Sequence, residues 1–288
     1  MKNKMRIFIP SKGRADVLTT PQLLDQYGID YTLVLHNDKE KKEYLKNKTL
    51  NSKKIVVANV PIGMPYIMHY INSLIKKDEW ILKLDDNIRS FTAVDDKHYN
   101  LANAPADRKV FNGIITPIKF LELVKETMKE ADRVGAKFIG FAVTDNPMFR
   151  SKKYREVGHV LGKMVCIKGS DLQFDLGLQT RDDFEFTCQH LLRFGRVLIN
   201  NFIKANAGHY EQGGCGTFDE RLPQRIADCI YLMNKYPMLL RYKVQKECPP
   251  KSDIQLRFTS TKQVQQWQKD MAINKNKLKI QQMKELNK

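Results

Sequence analysis

Short apolar segments alternate with helical patterns along the first third of the chain, and this alternation restricts the possible folds more than any other feature. Residues 6–10 (RIFIP), 31–36 (YTLVLH), 54–58 (KIVVA) and 80–84 (WILKL) are each typical of a buried strand. Residues 65–77 carry apolar side chains at helical spacing. Strands that alternate with helices indicate βαβ units, so we predict an α/β fold with a mostly parallel sheet flanked by helices.

The same alternation continues through the middle of the chain. Residues 95–112 are polar and irregular and predict a loop. Beyond the loop, the pattern predicts helices over residues 118–134 and 182–194 and strands over residues 137–143, 163–167 and 197–200. These elements are expected to extend the same sheet.

The end of the chain differs from the rest in composition. Residues 241–288 contain 12 Lys and Arg against 4 Asp and Glu, a net charge of +8, and residues 261–286 have a Lys- and Gln-rich helical pattern. We predict two parts: an α/β domain over residues 1–240 and a basic C-terminal helical extension over residues 241–288. The extension could bind a polyanion, or it could pack back on the domain with Trp267, Met271, Leu278 and Ile280 buried.

The net charge of +17 favours a polyanionic partner, and nucleic acid is the commonest one. The alternative is a protein that is merely rich in lysine. No segment approaches the ~20 consecutive apolar residues of a membrane span, so we predict no membrane partner. The first residues do not have the pattern of a signal peptide. The five cysteines lack CxxC spacing, which favours reduced thiols and a cytoplasmic location.

The fourth predicted strand ends in Asp85, Asp86 and Asn87, the most informative motif of the chain. Carboxylates at the end of a buried strand are costly unless they are paired or bound to a metal. Mg²⁺ and Mn²⁺ prefer oxygen ligands and complete their shell with substrate phosphates. The motif therefore suits metal-bridged binding of a nucleoside diphosphate. The alternative is a turn or a helix N-cap, which Asp and Asn also favour.

Three further motifs could complete such a site. The first strand is followed by small and cationic residues that could contact a nucleotide or be solvated loop charges. Asp182 and Asp183 begin a predicted helix, where a carboxylate can orient or deprotonate an acceptor hydroxyl, or can simply complement the helix dipole. His209 lies in a Gly-rich loop and is either a ligand or phosphate contact or an ordinary loop histidine.

The order of these motifs resembles that of the GT-A glycosyltransferases over roughly residues 5–220. It is similar in particular to the phage TET-associated group, which adds sugars to hydroxymethylated pyrimidines such as hydroxymethylcytosine in DNA. The shared features are the strand that ends in IPSKGR, the strand that ends in LDDNI, the helix that begins DDFEF, and a later Gly-Gly element. The resemblance implies a GT-A-like, Rossmann-type mixed sheet flanked by helices.

The resemblance also implies roles for individual residues. It implies a nucleotide-sugar donor, which we expect to be a UDP-sugar, and Mn²⁺ or Mg²⁺ as cofactor. The expected nucleotide contacts are Pro10, Ser11, Lys12, Arg14 and Asp85. The expected metal ligands are Asp86 and Asn87, to which the loop position adds His209. The expected acceptor residues are Asp182 and Asp183, with Asp183 as general base if the reaction inverts the anomeric configuration and as an orienting group if it retains it.

One position departs from the family. Related chains carry an Arg in the helix before the metal strand, where this chain has residues 64–69 (MPYIMH). The interaction with the diphosphate is then either missing or supplied by His69, Arg89 or Arg181.

The sequence therefore favours a metal-dependent sugar transferase that acts on modified DNA, in the host cytoplasm if the chain is phage-encoded. The alternatives are a glycosyltransferase with a protein, lipid or polysaccharide acceptor, a nucleotidyltransferase, and a DNA-binding protein without catalytic activity.

Overall fold

The computed structural model describes residues 5–94, 112–144, 150, 152–208, 217–243 and 249–271. The strands are β1 (Arg6–Pro10), β2 (Thr32–Leu35), β3 (Ile55–Val57), β4 (Trp80–Leu84), β5 (Ile88–Val94), β6 (Asn112–Ile115), β7 (Phe138–Phe141), β8 (Tyr154–Arg155), β9 (Met164–Lys168), β10 (Leu198–Asn200), β11 (Ile203–Ala207), β12 (Leu240–Tyr242) and β13 (Ile254–Leu256). The helices are α1 (Thr19–Asp25), α2 (Asp38–Tyr44), α3 (Met64–Ser73), α4 (Pro117–Val134), α5 (Asp182–Phe194) and α6 (Phe218–Lys235), with a 3₁₀ turn at Ser52–Lys54 and a further helix over residues 261–271.

Eight strands form one large mixed sheet in the order β3-β2-β1-β4-β9-β7-β10-β8. Strands β3, β2, β1 and β4 are parallel to one another, as expected of βαβ units. Strand β9 is antiparallel to both of its neighbours, β4 and β7. The predicted α/β class and Rossmann-type mixed sheet are confirmed, whereas a mostly parallel arrangement holds only for one half of the sheet.

The reversed direction of β9 has a consequence for function. Because β9 is antiparallel to β4, it begins where β4 ends, and Met164 is paired with Leu84. The residues just before β9 therefore lie at the carboxyl edge of the parallel strands, where ligands bind in sheets of this kind.

Helices cover both faces of the large sheet. Because successive strand residues point to opposite faces, the core consists of one apolar cluster on each face. Ile7 and Ile9 of β1 pack into one apolar cluster with side chains of α1, α2 and α4. Phe8, between them, packs on the opposite face with side chains of α3 and α5. Successive strand residues point to opposite faces, so a strand buried on both faces is a continuous apolar run.

A second, three-stranded antiparallel sheet has the order β11-β5-β6. Strand β5 follows β4 after only three residues, Asp85–Asn87, and pairs with β11 from the far end of the domain. This small sheet was not predicted. It lies directly beyond the Asp-Asp-Asn motif.

A third apolar cluster joins α5, α6 and the hairpin β12–β13. Cys188 and Cys229 lie in it as buried free thiols, and Cys166 is a third buried free thiol of the large core. Cys215 and Cys248 lie outside the described residues. Within the described part of the chain, no helix combines the length and the apolar character that a membrane crossing requires.

The described part of the C-terminal extension packs on the domain. Val264 is fully buried and Trp267 packs against the third cluster, with its ring 6.2 Å from that of Phe258. Gln268 Nε2 donates hydrogen bonds to the carbonyl oxygens of Leu191 and Leu192, at 3.2 and 2.8 Å, and so satisfies the C-terminal end of α5. Met271 is exposed. Residues 272–288, with Leu278 and Ile280, lie outside the described residues.

Candidate active site

The Asp-Asp-Asn motif forms the turn between β4 and β5, so the turn interpretation describes its local structure. Thr20 of α1 holds this turn in place. Its Oγ1 donates to the carbonyl oxygen of Asp85 at 2.6 Å and accepts from the Ile88 amide at 2.7 Å. The Thr20 amide donates to the carbonyl oxygen of Asp86 at 3.1 Å. Three hydrogen bonds of Thr20 therefore hold the backbone of the turn, and its side chains are left to contact other partners.

Asp86 points inward, toward the loop after β1, and is only 4% exposed. Its Oδ2 accepts a hydrogen bond from Ser11 Oγ at 2.5 Å, and its Oδ1 forms an ion pair with Arg14 Nη1 at 2.6 Å. Tyr44 Oη lies 2.7 Å from Ser11 Oγ and completes this buried group. Burial raises the pKa of the Asp86 carboxyl, although Ser11 and Arg14 oppose that shift. The predicted metal ligand is thus neutralised by the predicted nucleotide loop.

Asp85 is the more accessible carboxylate of the two, with 31% of its side chain exposed. It forms an ion pair with Lys83 Nζ. Lys83 is the penultimate residue of β4. It is only 2% exposed and also donates to the carbonyl oxygen of Gly162 at 2.8 Å. The Asp85 amide donates to the carbonyl oxygen of Lys163 at 2.9 Å.

Gly162 connects the two acidic motifs of the chain. Its carbonyl oxygen accepts from Lys83, while its amide donates to Asp183 Oδ2 at 3.0 Å. A continuous series of polar contacts therefore leads from Asp85 through Lys83 and Gly162 to Asp183. These residues come from β4, from the segment before β9 and from α5, and they meet only because β9 is antiparallel.

Asp183 is held as an anion by its neighbours. Besides Gly162, the Phe184 amide donates to its Oδ1 at 2.8 Å, and His159 Nε2 lies 3.3 Å from its Oδ2. The His159 ring stacks on Phe184 with centroids 3.7 Å apart. Burial would raise the pKa of Asp183, but the charge of His159 and these hydrogen bonds outweigh it and lower the pKa. A carboxylate held in this way is a weak base.

Asp182 has the opposite character. Burial and the adjacent charge of Asp183 raise the pKa of its carboxyl, and the positive charges of Lys83 and Arg221 oppose the shift only in part. The side chain is partly exposed at the N-terminus of α5. Two neighbouring carboxyls with pKa values driven apart are a common feature of sites that transfer protons.

Glu185, the third acid of this helix start, is part of the core. It is fully buried, and it accepts hydrogen bonds from Lys235 Nζ at 2.8 Å and Tyr236 Oη at 2.7 Å. These hydrogen bonds connect α5 to the C-terminal end of α6, and Glu185 does not face Asp85 or Asp183.

The remaining predicted residues are dispersed around this centre. Pro10 ends β1, and Lys12 is partly exposed with an electrostatic contact to Glu40. Asn87 is buried, and its Nδ2 donates to the carbonyl oxygen of Gly208 at 3.0 Å. His209 lies outside the described residues.

The three residues considered for the diphosphate contact have different surroundings. His69 Nδ1 lies 3.1 Å from the carbonyl oxygen of Phe174, in the segment between β9 and α5. Arg181 is ion-paired with Asp253. Arg89 is exposed on β5, two residues after Asn87.

A shallow depression lies between the two sheets and is lined in part by Lys163, whose carbonyl oxygen accepts from the Asp85 amide. Lys163 borders it, and burial lowers the pKa of that lysine, with Asp85 opposing the shift. Its other walls are apolar and come from Phe141, Val143, Leu161, Met164 and Ala205. This surface offers an apolar face and one cation within reach of the acidic centre.

The donor set determines which metal could be held here. Within the described residues, no group of three or more His, Cys, Asp or Glu side chains converges on one point, which is the arrangement of a protein-only metal site. Mg²⁺ and Mn²⁺ need fewer protein ligands, because one or two carboxylates and the phosphates of a substrate suffice. Asp85 fits that role through its Oδ2, because Lys83 contacts its Oδ1, whereas both oxygens of Asp86 have partners. Asp86 would fit it only after release from Ser11 and Arg14.

Lys83, Gly162, His159 and Thr20 were not predicted from sequence. Lys83 could have been found, because a lysine within a buried apolar strand needs a partner. Gly162 and His159 carry no comparable signal, since they act through a loop and a strand direction that the sequence pattern does not reveal.

We expect Asp86→Ala to lower the free energy of unfolding by about 3–5 kcal/mol, because it leaves the Arg14 guanidinium buried beside an empty space. Urea denaturation monitored by circular dichroism would measure this. The matched control is Asp16→Ala, which removes an exposed carboxylate from the same loop and should change stability by less than about 0.5 kcal/mol. Equal stability of the two variants would show that Asp86 is not part of the core.

Comparison with known proteins gives no match to any family model, and none of the curated proteins matches the chain.

Proposed function

We propose that this protein is a metal-dependent glycosyltransferase that moves a sugar from a UDP-sugar to hydroxymethylated pyrimidines in DNA. The observation that carries the proposal is the series of contacts Asp85–Lys83–Gly162–Asp183. At one end of this series, Asp85 follows the carboxyl end of a parallel strand, a position suited to binding a metal and a diphosphate. At the other end, the adjacent carboxyls of Asp182 and Asp183 have opposite pKa shifts and are suited to binding an acceptor hydroxyl. The resemblance to the GT-A enzymes supports the same reaction.

Each residue has a distinct role in this proposal. Asp85 would hold the metal, and Mn²⁺ or Mg²⁺, when bound, would supply Lewis-acid stabilisation of charge on the departing diphosphate. The contacts of Asp86 with Ser11 and Arg14 hold the turn after β4 against the loop after β1. For an inverting transfer we assign the general base to Asp182, whose raised pKa makes it the better proton acceptor, and we assign to Asp183 the positioning of the segment before β9.

The assignment of DNA as acceptor rests on charge. A net charge of +17, with +8 in residues 241–288, matches a polyanion that approaches a site otherwise lined by carboxylates.

A transfer assay tests the proposal directly. The purified chain is incubated with a panel of UDP-sugars, Mn²⁺ or Mg²⁺, and DNA that contains either hydroxymethylcytosine or cytosine. We expect mass addition to the modified DNA alone. UDP release with protein or glycan acceptors but not with DNA would identify another glycosyltransferase, and pyrophosphate release would identify nucleotidyl transfer. Thermal stabilisation by DNA alone, without any effect of nucleotide-sugar, would favour the non-catalytic alternative.

We expect Asp85→Asn to abolish the metal-dependent part of the thermal stabilisation by UDP-sugar. Asparagine keeps an oxygen that can accept from Lys83 but removes the negative charge that a divalent cation requires. The measurement is the change in Tm on adding UDP-sugar with Mn²⁺ and with a chelator. Asp132→Asn is the control, because Asp132 is a partly exposed carboxylate that pairs with Lys168 far from this edge. An Asp85→Asn variant with the full metal response would remove Asp85 from the metal site.

A further inference from the structure

The residue that precedes the two site carboxyls has an unusual backbone. Arg181 is the N-cap of α5, with φ 62° and ψ 18°, in the left-handed region. A side chain with a Cβ disfavours that region, and glycine is the residue that adopts it readily. Its side chain makes no hydrogen bond to the helix start. The conformation therefore needs support from elsewhere in the molecule.

The support comes from the C-terminal hairpin. Arg181 Nη2 donates to Asp253 Oδ1 at 2.6 Å and to the carbonyl oxygen of Ser252 at 3.2 Å. The ion pair is well shielded, with 14% and 15% of the two side chains exposed. The carbonyl oxygen of Arg181 accepts from the Glu185 amide at 3.0 Å, so the same residue begins the hydrogen bonding of α5.

Asp253 is itself fixed by its surroundings. The Ile254 amide donates to its Oδ1 at 3.0 Å, and Arg225 of α6 lies 3.6 Å from the same oxygen while its Nε donates to the Ser252 carbonyl oxygen at 2.8 Å. Lys243 lies 3.9 Å from Oδ2, at the outer side. One carboxylate of the basic C-terminal part thus connects α6, the hairpin β12–β13 and the first residue of the α5 helix start.

We propose that Asp253 is a positioning residue for the candidate active site. Through Arg181 it holds the left-handed turn that presents Asp182, and it keeps Asp183 within reach of the Gly162 amide. The C-terminal part of the chain then contributes to catalysis through geometry, whatever its part in DNA binding. The catalytic consequence rests on the proposed function; the structural one does not.

Two variants break the ion pair but leave the Cβ that disfavours the left-handed backbone. Arg181→Met removes the guanidinium and keeps a long side chain, and Asp253→Asn removes the charge but keeps the shape. We expect each to lower kcat for transfer about 10- to 100-fold, the loss typical of a slightly misplaced catalytic group. The KM for UDP-sugar should stay within about twofold, because the donor is bound at Asp85.

The double variant Arg181→Met/Asp253→Asn should be no slower than either single variant, because residues that act as a pair are not additive. The control is Lys243→Met, which removes the outer cation near Asp253 and should keep wild-type kcat. Losses that multiply in the double variant, or wild-type turnover in Arg181→Met, would overturn the proposal.

Hydrogen exchange gives a readout that needs no activity. In both single variants the amides of Gly162 and Glu185 should exchange at least about tenfold faster, since they depend on Asp183 and Arg181, while amides between β1 and β4 should be unchanged. If the wild type transfers no sugar but these amides respond as expected, the proposed function fails and the positioning role stands. Unchanged exchange at both amides would overturn the positioning role even in an active enzyme.

Discussion

Asp182→Asn should lower the turnover of sugar transfer by about 10²–10⁴-fold, the typical contribution of a general base. The change keeps the size of the side chain and removes its basicity, so the KM for UDP-sugar should be unchanged. Burial and the charge of Asp183 raise the pKa of Asp182 in the folded protein. Wild-type kcat should therefore fall with decreasing pH at a point above the ordinary aspartate value of about 4, and this decline should be absent from the residual activity of the variant.

The matched variant is Asp183→Asn, which should affect stability more than turnover. Because the folded-state pKa of Asp183 is lowered, its contribution to stability is present above the unfolded-state pKa and is lost as the pH falls through the folded-state pKa. The variant should be less stable than wild type at pH 7 and equally stable in strong acid. If Asp183→Asn lowers kcat by more than about 10²-fold while Asp182→Asn stays nearly active, Asp183 is the general base.

Truncation after Tyr242 should give a chain that does not fold. It removes β13, the partner of β12, together with the buried side chains of Ile254 and Val264 and the packing of Trp267. Each large apolar side chain taken from a core costs about 1.5–3 kcal/mol, and a typical domain has only about 5–15 kcal/mol in total. The measurement is the soluble yield and the circular dichroism of the truncated chain.

A shorter truncation, after Met271, separates folding from charge. It keeps every described residue and removes five Lys and one Glu: Lys275, Lys277, Lys279, Lys284, Lys288 and Glu285. This chain should fold, and its affinity for DNA should depend less on salt, with the log–log slope reduced by about 0.9 for each phosphate that the shortened chain no longer neutralises. If the chain truncated after Tyr242 folds, residues 243–271 are not needed for packing. If truncation after Met271 leaves the salt dependence of DNA affinity unchanged, DNA binds elsewhere on the basic surface.

The sequence predicted the local elements of the large sheet well. Apolar runs identified β1 and β4, and the periodicity with acids in the first turn identified α5, each with the bounds that the structure shows. Helix α6 was missed although Thr217 and Glu220 form a capping box, a readable signal that Pro223 within the helix obscured. The small sheet was missed because its pairing of β5 with β11 joins segments more than a hundred residues apart.

The sequence predicted the acidic motifs of the candidate site but not the residues with which their carboxylates pair. The motifs at Asp85 and Asp182 were recognised, and the structure brings them to one edge. What the pattern could not show is that each carboxylate already has a partner within the chain: Arg14 for Asp86, Lys83 for Asp85. Those pairings depend on the direction of β9 and the rotamers of buried side chains, which arise from tertiary packing and leave no periodicity in the sequence.

The ion pair between Arg181 and Asp253 spans 72 positions of the chain. During synthesis, the strands of the large sheet and both acidic motifs leave the ribosome before the residue that fixes the start of α5. A nascent chain can therefore assemble most of its core while the turn before Asp182 is still unsupported. We expect the proposed transfer activity to be acquired only after Asp253 has left the ribosome and its ion pair with Arg181 has formed.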